Sequence, residues 1–222
     1  MSVSSRPARA SPSRRIRVKR YRKRGHYDRA TLDAILDAGV MCHVGFIFDG
    51  YPVVIPTLYW RDGDHVYWHG SVASRMLTAV RGAEICLSVT HLDGLVLTRS
   101  AFHHSANYRS AVLFGRAHEV DDAAERRAQM ERLTESLFPG RWTKLRPVKA
   151  RELAAARILR LAIGEFSAKI RTGPPQEDER DLDWPVWAGV IPLSIGAGAP
   201  EPDDVARQGQ CESPVVRKFV RR

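Results

Sequence analysis

The sequence lacks the spacings that mark a metal centre or a disulfide framework. Its 222 residues include three cysteines, Cys42, Cys86 and Cys211. No two of them form a Cys-x-x-Cys pair, and an odd number cannot all be joined. No predicted helix carries a His-x-x-x-His pair, so the sequence predicts no metal site. Unpaired thiols are typical of a reducing compartment, which predicts a cytoplasmic location.

Several other signatures are missing as well. There is no Gly-x-Gly-x-x-Gly and no P-loop, which argues against a doubly wound nucleotide-binding domain. There is no Gly-x-Ser-x-Gly, so a serine nucleophile of the hydrolase type is not indicated. No apolar run approaches the roughly 20 residues that a membrane-spanning helix needs. We therefore expect no membrane partner.

The positive charge is confined to the N-terminus. The chain has 35 basic and 25 acidic residues, and ten of the basic ones lie within residues 1–25, which contain no acid. The remaining 25 basic residues balance the acids, so the charge belongs to an arm. With little apolar content, residues 1–25 are predicted to be a disordered arm. Either it is a solvated tail, or it binds a polyanion such as nucleic acid as a secondary function.

The pattern of residues 26–172 predicts one domain of mixed strands and helices. Asp28 is placed to cap a first helix and Asp121 or Asp122 a long one after residue 122, on which Met130, Leu133 and Leu137 would form the buried stripe. Strands are expected on both sides of Asp49-Gly50 and on both sides of a turn at residues 91–94. About six short strands indicate an α+β fold with an antiparallel barrel. Residues 173–222, rich in Pro, Gly and acids, are predicted to be an irregular extension, partly packed on the barrel or on a partner.

The stretch "YWHGSVASRM", residues 67–76, has the character of an anion site. A strand ending in His69, Gly70 and Ser71 runs into a helix, whose first N–H groups lack partners. Ser74 would add a hydroxyl and Arg75 a bidentate cation. The alternative is that Ser71 only caps the helix and Arg75 is solvated.

This stretch, with "PVVIPTLYW", "SANYRSAVLFGRA" and "FSAKIRTGPP…DWPVWAGVIPL", resembles the pyridoxamine 5′-phosphate oxidase-like flavoproteins, especially the branch with the nitroimidazole-resistance proteins. The resemblance covers roughly residues 17–193. It implies a six-stranded antiparallel split β-barrel with flanking helices, and a homodimer with FMN held at the subunit interface. The cofactor-binding residues that it implies are Thr57, Tyr59, His69, Gly70, Ser71, Ser74, Arg75, Ser110, Lys169, Arg171 and Trp187.

The chain also departs from the oxidases that give the family its name. Val54 and Tyr59 stand where those enzymes have basic residues, and Met76 replaces the lysine after the Ser-Arg pair. Pyridoxamine phosphate is therefore not the expected substrate. The resemblance implies an FMN-dependent oxidoreductase that passes electrons from a reduced nicotinamide nucleotide or a similar donor to a small oxidised molecule, with His69 as the candidate catalytic residue. The alternative is a non-catalytic flavin- or haem-binding carrier or sensor with a basic, partner-binding arm.

Overall fold

The computed structural model describes residues 12–204 and residue 206. These residues form one antiparallel sheet of nine strands, in the order β1-β8-β6-β7-β4-β3-β2-β5-β9. The strands are β1 (Gly25–His26), β2 (Met41–Phe48), β3 (Tyr51–Asp62), β4 (His65–Ser71), β5 (Glu84–Leu97), β6 (Ser105–Glu119), β7 (Ala156–Ala162), β8 (Glu165–Arg171) and β9 (Gly189–Pro192). The helices are α1 (Arg29–Ala38), α2 (Arg75–Val80), α3 (Ala123–Leu137) and α4 (Ala150–Ala155).

Strands β2 to β7 close on themselves, because β6 pairs with β5 along most of its length and with β7 at its end. The result is the six-stranded antiparallel split barrel that the resemblance implies. Alternate residues of each strand fill its interior, including Val44, Tyr59, Trp68 and Leu87. No helix in residues 12–204 is long and apolar enough to span a membrane.

Helix α1 closes one end of the barrel. Asp28 caps it as predicted, because its carboxylate accepts from the Thr31 N–H at 2.9 Å. At the other end the Tyr59 hydroxyl donates to the Leu36 carbonyl at 2.6 Å, and His91 Nε2 lies 2.9 Å from the Ile35 carbonyl. These side chains satisfy carbonyls that a helix end leaves without intrahelical partners. A Cβ on Gly39 would lie 2.7 Å from the Tyr59 hydroxyl, so the close approach requires glycine there.

Helix α3 packs on the outside of the barrel over a second, smaller cluster. Trp60 and Tyr67 stack there with their ring centroids 5.7 Å apart, and Met130 and Leu133 of α3 cover them. Asp122 caps the helix through the Glu125 N–H at 2.7 Å. The most deeply buried residue of α3 is Gln129, a polar residue outside the predicted stripe of Met130, Leu133 and Leu137.

The predicted turn at residues 91–94 is wrong. Strand β5 runs unbroken through it, and the register with β6 shifts between Leu92 and Gly94. The extra residue, Asp93, is instead part of a β-bulge, and its carboxylate binds Arg109 on the neighbouring strand at 2.8 and 2.9 Å. An Asp-Gly pair occurs both in hairpin turns and in β-bulges, so the sequence alone did not distinguish a turn from a bulge here.

Parts of the predicted arm and of the predicted extension lie within the described residues and make specific contacts. Arg15 lies over the Phe114 ring at 4.6 Å and binds Glu84 at 2.6 Å, and residues 22–24 form a short 3-10 turn before β1. Residues 12–24 therefore lie against the sheet because specific pairs hold them, whereas residues 1–11 of the predicted disordered arm lie outside the described residues. In the predicted irregular extension, residues 189–192 form β9, which pairs with β5.

Candidate functional site

The stretch that resembles a phosphate cradle lies at the surface, where β4 ends and α2 begins. Ser74 is the N-cap of α2, and its hydroxyl oxygen accepts from the Leu77 N–H at 3.4 Å. The Ser71 hydroxyl oxygen accepts from the Ala73 N–H at 3.2 Å. Because each oxygen accepts from the backbone, its own hydrogen remains available for donation to a ligand. Ser71 and Ser74 therefore both accept hydrogen bonds from nearby backbone N–H groups, and each hydroxyl can still donate one hydrogen bond.

Arg75 is the cation of this group. Its guanidinium lies 5.3 Å from the centroid of the Phe48 ring, and the side chain is exposed. Within residues 12–204 it has no carboxylate partner within ion-pair distance. Met76, which follows it, points into the core instead. Among the described residues, this junction therefore has one cation, Arg75, without a carboxylate partner.

Gly70 lies where β4 packs against α2, and a side chain there would meet the helix. A Cβ at this position would lie 2.9 Å from Cδ1 of Leu77, a core residue of α2. The missing side chain therefore lets the helix pack on the end of β4. Close approach to a phosphate is not needed to explain it.

His69 lies on the outer face of β4, beside the cluster under α3. Its ring centroid is 6.0 Å from that of Trp60, and its Nδ1 is buried without a hydrogen-bond partner among the described residues. Burial lowers the pKa of the imidazole below its ordinary value, so the ring is neutral near pH 7. A neutral imidazole with one unsatisfied nitrogen is suited to bind a metal, whereas its lowered pKa makes it a weak proton acceptor.

The two predicted residues of β3 face the barrel rather than its outside. Tyr59 is fully buried, with its hydroxyl on the Leu36 carbonyl, and burial raises the pKa of its phenol well above the usual value. Thr57 lies two residues earlier on the same face and is half-buried. A flavin along the outside of β3 would meet the alternate residues, such as Pro56 and Leu58, and not these side chains.

A second group of predicted residues lies on β6 and β8. The Ser110 hydroxyl donates to the Lys169 carbonyl at 3.3 Å, and the two residues are direct neighbours in the ladder. Arg171 is only 6% exposed; it donates to the Asn107 side-chain oxygen and, at 3.4 Å, to the Pro174 carbonyl. It therefore fixes the turn after β8. Burial and the nearby Arg24 lower the pKa of its guanidinium.

Trp187 stands apart from both groups. It is exposed and lies before β9, where its ring packs so closely that a Cβ on Gly189 would be 2.7 Å from it. The structure thus collects most of the predicted residues in two places, the β4–α2 junction and the β6–β8 ladder. Thr57 and Tyr59 on β3 and Trp187 lie outside both. Asn107 and Gln176, which accompany Arg171 and Arg24, were not among the predicted site residues. Asn107 lies in the segment SANYRSAVLFGRA that carries the resemblance, whereas Gln176 has no signal in a single sequence.

The sequence predicted no metal, and one histidine–carboxylate group is present in the part of the chain that is described. His103, Asp178 and Asp181 have ligand atoms within 4.8 Å of one another, but Asp178 is exposed. The group joins the connection between β5 and β6 to the segment after β8. Side chains of this kind also meet at surfaces without an ion.

The relatives of this chain bear on the flavin. Its structure is similar to the flavocytochrome Anf3 from Azotobacter vinelandii, with 47% sequence identity, a TM-score of 0.84 and coverage of 87% of this chain and 91% of that one. It is also similar to the FAD and haem binding protein from Mycobacterium smegmatis, with 38% identity, a TM-score of 0.78 and coverage of 82% and 89%. A 5-nitroimidazole antibiotic resistance protein from Bacteroides thetaiotaomicron shares the fold at 17% identity and a TM-score of 0.53, over 66% and 86% of the two chains.

A search of curated proteins gave no match. A family model described as pyridoxamine 5′-phosphate oxidase matches residues 28–170, which is most of the barrel. The match confirms the resemblance seen in the sequence. This chain belongs to the pyridoxamine 5′-phosphate oxidase family of flavin-binding split barrels.

Proposed function

We propose that this protein is a flavin-dependent redox protein that takes electrons from a reduced nicotinamide nucleotide or a similar donor and passes them to a small oxidised molecule. The observation that carries the proposal is the similarity to the flavocytochrome and to the FAD and haem binding protein, each matched over more than four fifths of this chain. When bound, the flavin would supply the electron chemistry, and the protein would supply its position and surroundings.

The β4–α2 junction is the place that fits the flavin's phosphate end. Arg75 offers an exposed guanidinium with no carboxylate partner among the described residues, and Ser71 and Ser74 each keep a hydrogen to donate. These are the donor types that bind phosphoryl oxygens. Ser110 and Lys169, neighbours on β6 and β8, would approach a flavin bound between two subunits from the same subunit or from its partner.

The identity of the flavin is the finer part of the proposal. The family resemblance implies FMN, whereas the relative with 38% identity is named as binding FAD. Flavin released from the purified protein and separated by chromatography distinguishes the two, because FAD carries an additional AMP.

A haem beside the flavin is a second candidate, favoured by one observation in this chain. His69 has a buried Nδ1 without a partner and is neutral near pH 7, which is the form of histidine that binds haem iron. Both close relatives are named for haem as well as flavin chemistry. We include haem binding by His69 in the proposal; a Soret band in the purified protein that disappears in His69→Ala tests it.

A homodimer would cover an apolar face of the barrel. Met41, Ile47, Val54 and Leu58 project from the outer faces of β2 and β3, where Met41 stands opposite Leu58 and Ile47 opposite Pro52. Ile47 is 66% exposed and Val54 64% exposed. Apolar side chains gathered on one face are typical of a protein interface. We include a second copy of this chain as the partner, in line with the family resemblance.

The flavin site is tested by Arg75→Gln. Ser74 is unsuitable, because its substitution would also weaken the cap of α2. Loss of a charged hydrogen bond is worth about 1.5–3 kcal/mol, so flavin affinity should fall by at least about tenfold. Arg127→Gln, an exposed change on α3, is the matched control and should leave it unchanged. Equal flavin content in both variants would show that the flavin phosphate does not bind at this junction.

Turnover and assembly need separate measurements. Bleaching of the bound flavin by reduced nicotinamide nucleotide, followed by reoxidation with a quinone or nitro compound, supports the oxidoreductase; no bleaching supports the carrier. For the dimer, Val54→Asp should yield a monomer in sedimentation, whereas Leu145→Asp, at an exposed position after α3, should not. If Val54→Asp is still a dimer, the dimer interface does not include this face of β2 and β3.

A further inference from the structure

Two adjoining cavities lie where the N-terminal segment crosses the end of β8. The smaller, of ≈ 180 Å³, contains Arg171 and the larger, of ≈ 480 Å³, contains the 3-10 turn before β1. They share Arg24 and Gln176, so they form one continuous depression. We call it the cationic groove. Its charged lining residues are Lys19, Arg22, Lys23, Arg24 and Arg171, and its neutral polar ones are Tyr21, Thr172 and Gln176.

The described residues that line the groove carry five positive charges and no negative one. None of its lysines and arginines has a carboxylate within ion-pair distance in residues 12–204. The acid next to Gln176 is Glu177, and it is already occupied. It accepts from the Arg99 N–H at 2.5 Å and binds the Arg99 guanidinium at 2.8 Å. Like charges held together without counter-charges attract an anion strongly.

Arg171 strengthens the attraction for an anion because its positive charge is buried. Within the described part of the chain its guanidinium reaches only neutral partners, the Asn107 side-chain oxygen and the Pro174 carbonyl. Burial and the neighbouring Arg24 both disfavour its charge, which is why its pKa is lowered. An anion in the smaller cavity would relieve both effects, since it would neutralise a cation that water no longer solvates.

The groove is also held in shape before any ligand arrives. The Arg24 guanidinium lies 4.1 Å from the centroid of the Tyr21 ring, and the Arg20 guanidinium lies 5.2 Å from it. The Val18 N–H donates to the Tyr27 hydroxyl at 2.8 Å, and the Val18 side chain lies 3.0 Å from where a Gly25 Cβ would be. Positions fixed in this way reduce the entropy that binding would otherwise cost.

We infer that the cationic groove binds the diphosphate of a nucleoside diphosphate or of a dinucleotide. Two connected cavities with cations in both suit an anion with two linked phosphoryl groups, and arginine is the side chain that binds phosphoryl oxygens in pairs. A space of ≈ 480 Å³ accommodates a small ligand rather than a long strand. This favours a nucleotide over nucleic acid, and it gives the described part of the basic arm a binding role separate from the β4–α2 junction.

The test uses the purified protein with whatever cofactor it carries, and ADP, AMP, inorganic phosphate and a short single-stranded oligonucleotide as probes in calorimetry. ADP should bind more tightly than AMP or phosphate. Lys23→Gln/Arg24→Gln should weaken ADP binding by about tenfold or more, as expected for the loss of charged contacts. Arg127→Gln/Arg151→Gln removes the same charge from exposed positions of α3 and α4 and should leave ADP affinity within about twofold.

Each other outcome overturns the inference. Equal ADP affinity in the two double variants would show that net charge, and not the groove, attracts the nucleotide. An oligonucleotide that binds more tightly than ADP and is lost in the groove variant would assign the groove to nucleic acid. Loss of bound flavin in the groove variant would assign it to the flavin itself. Arg171 is left intact in this test, because its removal would also free the turn after β8.

Discussion

The hydrogen bond between Trp60 and Gln129 should stabilise the contact between α3 and the barrel. The Trp60 indole N–H donates to the Gln129 side-chain oxygen at 2.8 Å, and both residues are buried. In Gln129→Met the buried indole N–H has no acceptor, which costs about 1–3 kcal/mol. The second bond, from the Gln129 amide to Asp62 at 3.1 Å, matters less because Asp62 also contacts Arg132 and meets water.

The free energy of unfolding should therefore fall by about 2 kcal/mol, which corresponds to about 4–8 °C in Tm for a chain of this length. Urea titrations followed by circular dichroism measure it. Glu131→Met, on the exposed side of the same helix, is the control and should change stability little.

A double-mutant cycle separates the hydrogen bond from the side chain's packing. Trp60→Phe removes the donor, and Gln129→Met in that background should then cost far less than in the native chain, because neither polar group is left unpaired. If the glutamine substitution costs the same in both backgrounds, the bond does not contribute in the way described.

Three further predictions concern the core and the site. Burial raises the pKa of Cys42 to about 12, so alkylation at pH 8, followed by peptide mass spectrometry, should modify Cys42 at least about a hundredfold more slowly than a free thiol; comparable rates would contradict its burial. Because the pKa of His69 is lowered in the folded protein, the unfolded chain takes up a proton that the folded one refuses as pH falls below about 6.5, and stability is lost there. His69→Gln should reduce the difference between urea midpoints at pH 5.5 and 7.5, and an unchanged difference would refute the assignment. Gly70→Ala should lower Tm by forcing the Leu77 side chain aside, while flavin content stays the same; loss of flavin with unchanged Tm would restore the phosphate-contact explanation.

The parts of the fold that depend on local pattern were predictable. Asp28 and Asp122 were identified as caps because their chemistry acts within three residues. The hairpin at Asp49-Gly50 was predictable because Asp and Gly tolerate the positive φ that tight turns need. Both residues adopt it, at 50° and 82°. The continuous course of β5 was not predictable, since its bulge depends on Arg109 of a strand that follows later in the chain. The cytoplasmic location stays a prediction.

The candidate site divides in the same way. The resemblance located the junction of β4 and α2, but which face of β3 Tyr59 occupies depends on the register with β4 and on the end of α1. The ligand contact of Gly70 stays a prediction, and its packing against Leu77 became visible only in the structure. The charge of residues 12–24 was visible in the sequence, whereas the buried Arg171 beside it became visible only once β8 was placed.

The closure of the barrel has a consequence for how the protein is made. β4 pairs with β7, and the middle of β6 pairs with β8. Neither pairing can form until most of the chain has left the ribosome. Pairings between strands so far apart in sequence form slowly. Until residue 171 has emerged, the nascent chain exposes open strand edges with the apolar β2–β3 surface beside them. We therefore expect its yield in cells to depend on chaperones and on the rate of translation more than its final stability would suggest.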